Sequence, residues 1–306
     1  MLALFKALAD NTRLRLIAIL DRGEFTVQEL VEILDMGQSR VSRHLKILSE
    51  VGVVSVKREG TWAYYRLDPC NKLFRDQLPI IREHLSLLDG GAGDRTRITS
   101  LLAGRRKRSQ EFFDQNANQW DRLVHDLLPT PDYQASLLGQ LKACSTLVEI
   151  GVGTGALLAD LSLKAGKVIG IDHAPAMLQA ARERVLGQGV SNVELRLGEM
   201  EHLPLESSGA DVVLLNMVLH HAASPETVLN EVARILRPDG HLLIFDLQRH
   251  HQEWVREKLA DQWLGFESSE LMSWCLNAGF TQPDCRILDG ESTQHSVLQV
   301  SAHKGS

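Results

Sequence analysis

The chain has 306 residues, of which 44% are hydrophobic and 24% charged, and its formal net charge is −6. This length is enough for two domains with separate cores, and the composition is ordinary for a globular protein. No apolar run reaches the ~20 residues that span a bilayer, so no membrane segment is expected. Charged residues interrupt the N-terminal apolar run, which is not typical of a secretory signal peptide. The four cysteines form no C-x-x-C pair. We therefore expect a cytoplasmic protein with reduced thiols.

Charge is distributed unevenly between the two parts of the chain. Residues 1–110 hold 19 lysines and arginines against 13 acidic residues, whereas residues 111–306 hold 14 against 26. Only the first part is basic enough to be attracted to a phosphate backbone. A chance clustering of solvated charges gives the same counts, so charge alone does not decide the partner.

The first elements along the chain are predicted to be helices. Apolar residues recur at helical spacing over 2–20, with a break near Asp10, and Thr26 and Glu29 form a capping box for the next helix. Gly37 is then expected to supply a tight turn before the helix QSRVSRHLKILSE. Polar side chains on the outer face of that helix offer donors for phosphates and base edges. We assign the following residues as DNA contacts: Gln38, Ser39, Arg40, Ser42, Arg43, His44 and Lys46.

Two β-rich runs come next, VVSVKRE and WAYYRLD, around a predicted tight turn at Gly60-Thr61. Lys57, Arg58 and Arg66 make this hairpin basic, so we add them to the DNA contacts. A helix, a turn, a polar-faced helix and a basic hairpin in this order are more specific than any one element. They predict an α+β winged helix-turn-helix domain over residues 1–88.

The segments LFKALADNTRLRLIAIL, SRVSRHLKILSEVGVV and REGTWAYYRL resemble the ArsR family of winged-helix repressors. This resemblance implies a homodimer that binds double-stranded operator DNA, with its recognition helices in major grooves ~34–36 Å apart. It also implies that the helix after the wing helps to form the dimer interface. The apolar residues of that segment fit an intradomain core equally well: Leu73, Leu78, Ile81, Leu85 and Leu88.

No metal site is predicted in this domain. Many members of the family sense metal through cysteines before the recognition helix, but this chain has FTVQEL there, and soft metals prefer thiolate ligands. His84 and Asp76 on the later helix are better explained as surface residues.

Residues 89–108 contain four glycines and a basic cluster at 105–108. They are predicted to form a flexible linker that continues as a helix into the next domain. The basic cluster is either solvated or in contact with flanking DNA, and solvation is the more common case.

From residue 109 onward, apolar strands such as STLVEI and KVIGID alternate with helical patterns. This alternation predicts a parallel sheet with helices on both faces, an α/β Rossmann-like domain over 109–306, with ligands beyond the carboxyl ends of the strands. The glycine turn GVGTG follows the first strand, and Asp172 ends the second, placed to accept hydrogen bonds from a ribose diol. Glu199 and Met200 follow the third strand, placed for an adenine ring.

This set resembles class I S-adenosylmethionine-dependent methyltransferases, especially the quinone-biosynthesis-like branch, in which a segment similar to FFDQNANQWDRL caps the methyl donor. The resemblance implies a site for S-adenosylmethionine or S-adenosylhomocysteine. Its residues would be Glu149, Gly151, Gly153, Gly155, Asp172, Met177, Glu199, Met200 and Asn216.

The candidates for a catalytic base are His220, His221 and Asp121, although such residues often only shape a pocket. The motifs typical of DNA methylases do not occur after the fourth strand, where the chain reads NMVLHH. His250, His251 and Glu253 lack further ligands close in sequence, so no metal site is predicted in this domain either.

Two functions remain open. A known group of ArsR-type regulators has the same two domains, responds to S-adenosylhomocysteine and controls methionine and methyl-cycle genes. Resemblance to that group favours a transcription regulator, a repressor, whose methyltransferase-like domain binds S-adenosylmethionine or S-adenosylhomocysteine as an effector. The alternative is an active small-molecule methyltransferase with a fused regulatory DNA-binding domain.

Overall fold

The structure is a computed structural model that describes residues 1–59, 62–67, 70–85, 88–127, 132–289 and 295–305. The chain divides into two compact units, Met1–Lys107 and Arg108–Ser306. Within the described ranges, the helices are all too short or too polar to cross a membrane.

The first unit is an α+β winged helix-turn-helix, as predicted. Its helices are α1 (Leu2–Leu8), α2 (Asn11–Leu20), α3 (Val27–Leu34), α4 (Gln38–Glu50), α5 (Lys72–Leu85) and the first part of α6 (Gly91–Asn116). Its strands are β1 (Phe25–Thr26), β2 (Val54–Glu59) and β3 (Trp62–Leu67). They form an antiparallel sheet in the order β1-β3-β2, in which β2 and β3 are the wing. The predicted turn at Gly60-Thr61 and the side chain of Lys57 lie outside the described residues.

Side-chain caps explain where the first helices begin. The Asp10 carboxylate accepts a hydrogen bond from the Arg13 amide and starts α2, which accounts for the predicted break. The capping box of α3 is confirmed, because Thr26 and Glu29 each accept a hydrogen bond from the other's backbone amide. The tight turn after α3 differs from the prediction. Asp35 takes the left-handed conformation, with φ 53°, whereas Gly37 is the N-cap of α4 with φ −65°.

The apolar residues of α5 contribute to the core of the first unit. Leu78 and Leu85 are buried in that core, and Leu73, Ile81 and Leu88 pack against it from partly buried positions. The intradomain alternative therefore holds for these five side chains.

Most of the segment predicted as a flexible linker is helical, since α6 begins at Gly91, after a turn in which Gly90 has φ +83°. The Asp94 carboxylate is buried and accepts two hydrogen bonds of 2.6 Å from the Arg15 guanidinium. Farther along, Arg105 pairs with Glu29. These ion pairs, together with the burial of Ile98, outweigh the helix penalty of the glycines, which is about 1 kcal/mol each.

The second unit has the predicted α/β Rossmann-like fold. Its helices are the rest of α6, α7 (Trp120–Leu127), α8 (Gln134–Gln140), α9 (Leu158–Ser162), α10 (Pro175–Gly187), α11 (Pro225–Ile235), α12 (Trp254–Lys258) and α13 (Ser268–Asn277). Its strands are β4 (Cys144–Ile150), β5 (Ala165–Asp172), β6 (Val193–Leu197), β7 (Ala210–Asn216), β8 (Leu236–Leu247), β9 (Phe280–Leu288) and β10 (Val297–Lys304).

These strands form one sheet in the order β6-β5-β4-β7-β8-β10-β9. The first five strands in that order are parallel, whereas β10 runs antiparallel to both of its neighbours. This antiparallel pairing differs from the predicted parallel sheet. Leu147 on one face of β4 and Val148 on the other belong to different apolar cores. Both faces of the sheet are therefore covered, which explains the nearly continuous apolar run of this strand.

The Arg15–Asp94 pair should stabilise the first unit more than the exposed pair between Arg82 and Asp21 does. Asp94→Ala leaves a guanidinium whose side chain is only 14% exposed without its main partner, so we expect a loss of about 3 kcal/mol. The Arg82 side chain is 53% exposed, and Arg82→Ala should cost at most about 1 kcal/mol. Urea denaturation of the full chain measures both values. Equal losses would contradict the assignment of Asp94 as the main anchor of α6.

Candidate functional site

A cleft lies at the carboxyl ends of the parallel strands of the second unit. This is the edge of an open α/β sheet at which ligands bind. The residues that line it are Phe113, Trp120, Ile150, Gly151, Gly153, Ile171, Asp172, His173, Met177, Gly198, Met200, Met217, Val218 and His221. Five of the residues that we predicted for the ligand site are among them, namely Gly151, Gly153, Asp172, Met177 and Met200. The other four, Glu149, Gly155, Glu199 and Asn216, do not line the cleft.

The glycine turn after β4 needs glycine for two different reasons. Gly151 has φ +70°, and a Cβ atom there would stand 2.1 Å from the Val218 side chain, so any other residue would collide with the turn that follows β7. Gly153 also has a positive φ, +52°, but a Cβ atom there would meet no heavy atom within 4 Å. The turn is thus closed on the side of β7 and open at Gly153, which leaves room for a ligand close to the backbone.

Gly155 has a different surrounding from the first two glycines. A Cβ atom at this position would lie 2.9 Å from the Leu158 side chain and 3.0 Å from Ala181. This glycine therefore permits close packing of the turn against α9 and α10, which explains why it does not line the cleft.

Asp172 connects the glycine turn to the helix on the other side of the cleft. Its carboxylate accepts one hydrogen bond of 2.9 Å from the Gly153 amide and another of 2.9 Å from the Ala174 amide. Burial raises the pKa of this carboxyl group. Each carboxylate oxygen accepts more than one hydrogen bond, so a ribose hydroxyl can be bound without breaking the two backbone contacts.

Glu149 lies beneath the turn and is only 3% exposed. Its Oε2 atom is buried without a hydrogen-bond partner. Burial, together with the nearby Asp172 carboxylate, raises the pKa of Glu149 to about 8. A buried, unpartnered carboxylate oxygen calls for a ligand donor or water, and the ammonium group of a methionine moiety is such a donor.

Asn216 and Glu199 stand next to the cleft. The Tyr133 hydroxyl donates a hydrogen bond of 3.0 Å to the Asn216 Oδ1 atom, which fixes that side chain at the end of β7. Glu199 is half-buried just beyond β6, where its backbone pairs with that of His202. The open Gly153, the unpartnered Glu149 and the Asp172 carboxylate together fit an adenosyl ligand with a methionine portion.

An aromatic wall closes one side of the cleft. Phe113 and Trp120 lie edge to face with ring centroids 5.1 Å apart, and His221 lies 5.0 Å from Phe113 in the same manner. Both of the first two residues belong to the segment FFDQNANQWDRL, which we predicted to cap a ligand. Met217 and Val218 also line the cleft but were not predicted. In a sequence, two apolar residues after a strand cannot be distinguished from residues of the hydrophobic core.

The three candidates for a catalytic base have different positions, and only His221 lines the cleft. Burial, with the neighbouring His220, holds the pKa of His221 well below its usual range. Burial also acts to lower the pKa of His220, but Asp246 and Asp261 outweigh it and raise the pKa to about 9. Asp121 accepts a hydrogen bond of 2.6 Å from Thr154 and is paired with Arg184 at 2.5 Å.

The outer face of α4 in the first unit carries most of the predicted DNA contacts. Gln38, Ser39, Arg40, Arg43 and Lys46 are exposed, and Ser42 is half-buried.

His44 does not belong to that face, and its prediction as an outward residue was wrong. It is only 5% exposed, with its Nδ1 atom 3.8 Å from the Asp10 carboxylate. The reason is helical spacing: His44 follows Val41 by three residues and therefore shares the buried face.

The predicted DNA contacts on the wing differ in their exposure and in their partners. Arg58 is exposed. Arg66 is half-buried, donates a hydrogen bond of 3.1 Å to the Ser55 hydroxyl and pairs with Glu24 at 3.6 Å. The charge of Arg66 is thus partly balanced within the unit itself.

Each unit matches a known family of sequences. Residues 10–56 match the profile of the bacterial regulatory proteins of the arsR family, and residues 148–244 match that of a methyltransferase domain. The arsenite methyltransferase of Halobacterium salinarum is 38% identical over 105 residues, which cover 33% of this chain and 27% of that protein. The arsenic resistance transcriptional regulator ArsR1 of Pseudomonas putida is 47% identical over 66 residues, which cover 21% of this chain and 52% of the regulator.

The chain therefore spans between about a quarter and about half of the length of these curated relatives. Among solved structures, a chain from the complex of the Haloferax volcanii Trm112 methyltransferase activator with a candidate methyltransferase superposes with a TM-score of 0.53. The superposition covers 63% of this chain and 98% of that chain at 20% identity, a likeness of fold alone. The chain thus joins an ArsR-family helix-turn-helix domain to a class I methyltransferase domain with a Rossmann-like fold.

Proposed function

We propose that the protein is a DNA-binding transcription regulator, a repressor, whose methyltransferase-like domain binds S-adenosylmethionine or S-adenosylhomocysteine as an effector. One observation carries the proposal: a helix with an exposed basic face and a cleft that fits an adenosyl ligand occur on the same chain. Because the chain resembles effector-responsive ArsR-type regulators, we also propose that the genes it controls are methionine and methyl-cycle genes.

Each part of the ligand has a proposed partner in the lining of the cleft or, for Glu149, directly beneath the glycine turn. Gly151 and Gly153 would let the methionine portion approach the backbone, and Glu149 would accept hydrogen bonds from its ammonium group. Asp172 would hold the ribose hydroxyls, and Met177 and Met200 would pack on the adenine ring. When bound, S-adenosylmethionine supplies a methyl group on a cationic sulfonium, whereas S-adenosylhomocysteine is the neutral thioether. A buried carboxylate close to the sulfur distinguishes these two charge states strongly, because the local dielectric constant is low.

A second copy of the chain is the proposed partner in binding DNA. Leu2 and Phe5 on α1 and Ile80 on α5 are 67%, 53% and 56% exposed, so these apolar side chains are accessible to a second chain. A homodimer that covers these residues would present two α4 helices to successive major grooves of operator DNA.

The proposed response is allosteric. A ligand changes DNA affinity only if it prefers one arrangement of the dimer, and such couplings are typically about 1–3 kcal/mol. The chain passes from the first unit to the second within α6. In the first unit this helix is held by Asp94, and in the second its Phe113 lines the cleft. We therefore propose α6 as the element through which ligand binding reaches the DNA-binding unit.

The alternative is an active small-molecule methyltransferase, and the position of His221 favours it. This histidine lines the cleft with a lowered pKa, so it is neutral and has the protonation state of a general base. Arsenite, the substrate named for one relative, is not favoured, since the described lining of the cleft includes no cysteine thiolate. Turnover of labelled S-adenosylmethionine with cell-extract acceptors would establish the enzyme.

The effector proposal is tested by titrating DNA binding separately with S-adenosylmethionine and S-adenosylhomocysteine. The DNA is a duplex that the wild-type protein selects from a random library, and binding is measured by fluorescence anisotropy. We expect one of the two compounds to change the affinity by about 5–150-fold. Asp172→Asn should remove this response and leave ligand-free DNA binding intact, whereas Asp284→Asn, at an exposed site on β9, should keep it. If neither compound changes the affinity, the effector proposal fails.

Arg43→Ala should weaken binding to the selected duplex and leave calorimetric binding of the ligand unchanged. The Arg43 side chain is exposed on α4, and loss of a base or phosphate contact there should cost about 1–3 kcal/mol, or roughly 5- to 150-fold in affinity. Arg75→Ala removes an exposed arginine from α5 and is the matched control. Equal losses in both variants would mean that overall charge, and not the face of α4, determines binding.

Ligand affinity should depend on pH through Glu149. Its pKa of about 8 means that the carboxyl group is largely protonated at neutral pH, and an ammonium group favours the ionised form. Affinity should therefore rise with pH up to about 8, by at most about tenfold per pH unit, and then level off. Glu149→Gln, which does not ionise, should bind more weakly at pH 8 and show a flat profile in calorimetry. A wild-type slope that persists in Glu149→Gln would assign the titration to another group.

A further inference from the structure

Behind the aromatic wall of the cleft, two histidines and an aspartate meet in the interior of the second unit. His220 and His221 lie in the short turn after β7, and Asp261 lies in the segment after α12. They are 3%, 8% and 4% exposed. One nitrogen or oxygen atom from each lies within 4.8 Å of the others.

The distances within this group are too long for hydrogen bonds. The His220 Nε2 atom is 3.8 Å from Asp261 Oδ1, and the His221 Nδ1 atom is 3.7 Å from the same oxygen. They are close to those of ligands that share one ion. Tetrahedral coordination with metal–nitrogen and metal–oxygen bonds of about 2.0–2.2 Å places ligand atoms about 3.3–3.6 Å apart, so each of these two distances would have to shorten by only a few tenths of an ångström.

The buried Asp261 carboxylate is not satisfied by hydrogen bonds from the residues that the structure describes. Both of its oxygen atoms are buried and make no hydrogen bond. A carboxylate in this situation is costly unless a cation or a donor satisfies it, because it has lost its water.

A second aspartate orients His220 toward this position. The His220 Nδ1 atom stands 2.7 Å from Asp246 Oδ1, and the other oxygen of Asp246 accepts a hydrogen bond of 2.8 Å from the Leu219 amide. Asp246 is fully buried. With Nδ1 protonated and bound to Asp246, the lone pair of Nε2 points to Asp261, as in carboxylate–histidine–metal arrangements.

We propose that His220 Nε2, His221 Nδ1 and the Asp261 carboxylate bind one divalent first-row transition metal ion, such as Zn²⁺ or Co²⁺. Two imidazoles with one carboxylate suit these ions, whereas Ca²⁺ and Mg²⁺ prefer oxygen ligands alone. Entry is through the cleft, because His221 lines it. The proposal differs from the expectation of no metal, and it rests neither on the effector role nor on DNA binding.

The competing arrangement contains no metal. In it, His220 is an imidazolium between Asp246 and Asp261, and His221 donates from Nδ1 to the Ala260 carbonyl oxygen, 3.3 Å away. The two arrangements differ at both histidines: a metal ion would replace the proton on His220 Nε2, and His221 would carry its proton on Nε2 instead of Nδ1.

The test uses the full chain without an affinity tag, stripped of metal by a chelator and titrated with Co²⁺. Binding is followed by the visible absorption of the protein-bound ion and by metal analysis after dialysis. We expect one ion per chain, displaced by Zn²⁺. Asp261→Asn and His221→Gln should each lower the affinity by more than 100-fold, and Asp246→Asn, which only loses the orienting contact, by about 10–100-fold. His84→Gln, at an exposed histidine on α5, should bind like the wild type.

Failure to bind Co²⁺ or Zn²⁺, or binding that persists in Asp261→Asn and His221→Gln, would overturn the proposal. Near-UV circular dichroism shows whether a variant has folded. For a variant that has not, nitrogen-15 NMR of the wild-type histidines decides instead. A shift of the His220 Nε2 resonance on addition of Zn²⁺ supports the site, and an imidazolium unchanged by saturating Zn²⁺ overturns it.

Discussion

The hydrogen bonds of the Asp172 carboxylate hold the functional edge of the second unit together. This side chain ties the glycine turn, through the Gly153 amide, to the start of α10, through the Ala174 amide. The pKa of Glu149 is raised first by its own burial and further by this carboxylate. The shape of the turn and the position of α10 therefore depend on one buried carboxylate, which also contributes to the protonation of Glu149. A ligand that hydrogen-bonds to Asp172 acts on the turn and on α10 together.

Patterns that are local in sequence could be predicted well. The capping box at Thr26, the wing, the glycine turn and Asp172 each depend on residues close together or on a strand end of recognisable type. The α+β and α/β classes of the two units followed from the order of such patterns. Of the five lining residues that were identified, Gly151, Gly153 and Asp172 lie at the glycine turn or a strand end and Met200 follows β6 closely, whereas Met177 lies in the first turn of α10.

The features that escaped prediction depend on contacts between distant residues. The burial of His44 follows from packing against Asp10 and the core, and the helical linker depends on Arg15 reaching Asp94 across 79 positions. Strand β10 pairs antiparallel with both β8 and β9 near one edge of the sheet, whereas the alternation of strands and helices predicted only parallel strands. Asp261 lies 40 residues after His221 and belongs to no motif, whereas His250 and Glu253 stand at the short spacing by which metal ligands are recognised in a sequence.

His221 connects the two open questions about the second unit. A general base needs a free lone pair facing the acceptor. An imidazole that binds a metal ion through Nδ1 carries its proton on Nε2, so it presents a hydrogen-bond donor to the cleft and not a base. Metal occupancy and base catalysis by this residue therefore exclude each other. A chain that holds an ion at His220, His221 and Asp261 therefore lacks the imidazole base that the enzyme alternative assigns to His221, and deprotonation of an acceptor would then depend on the ion itself or on another group.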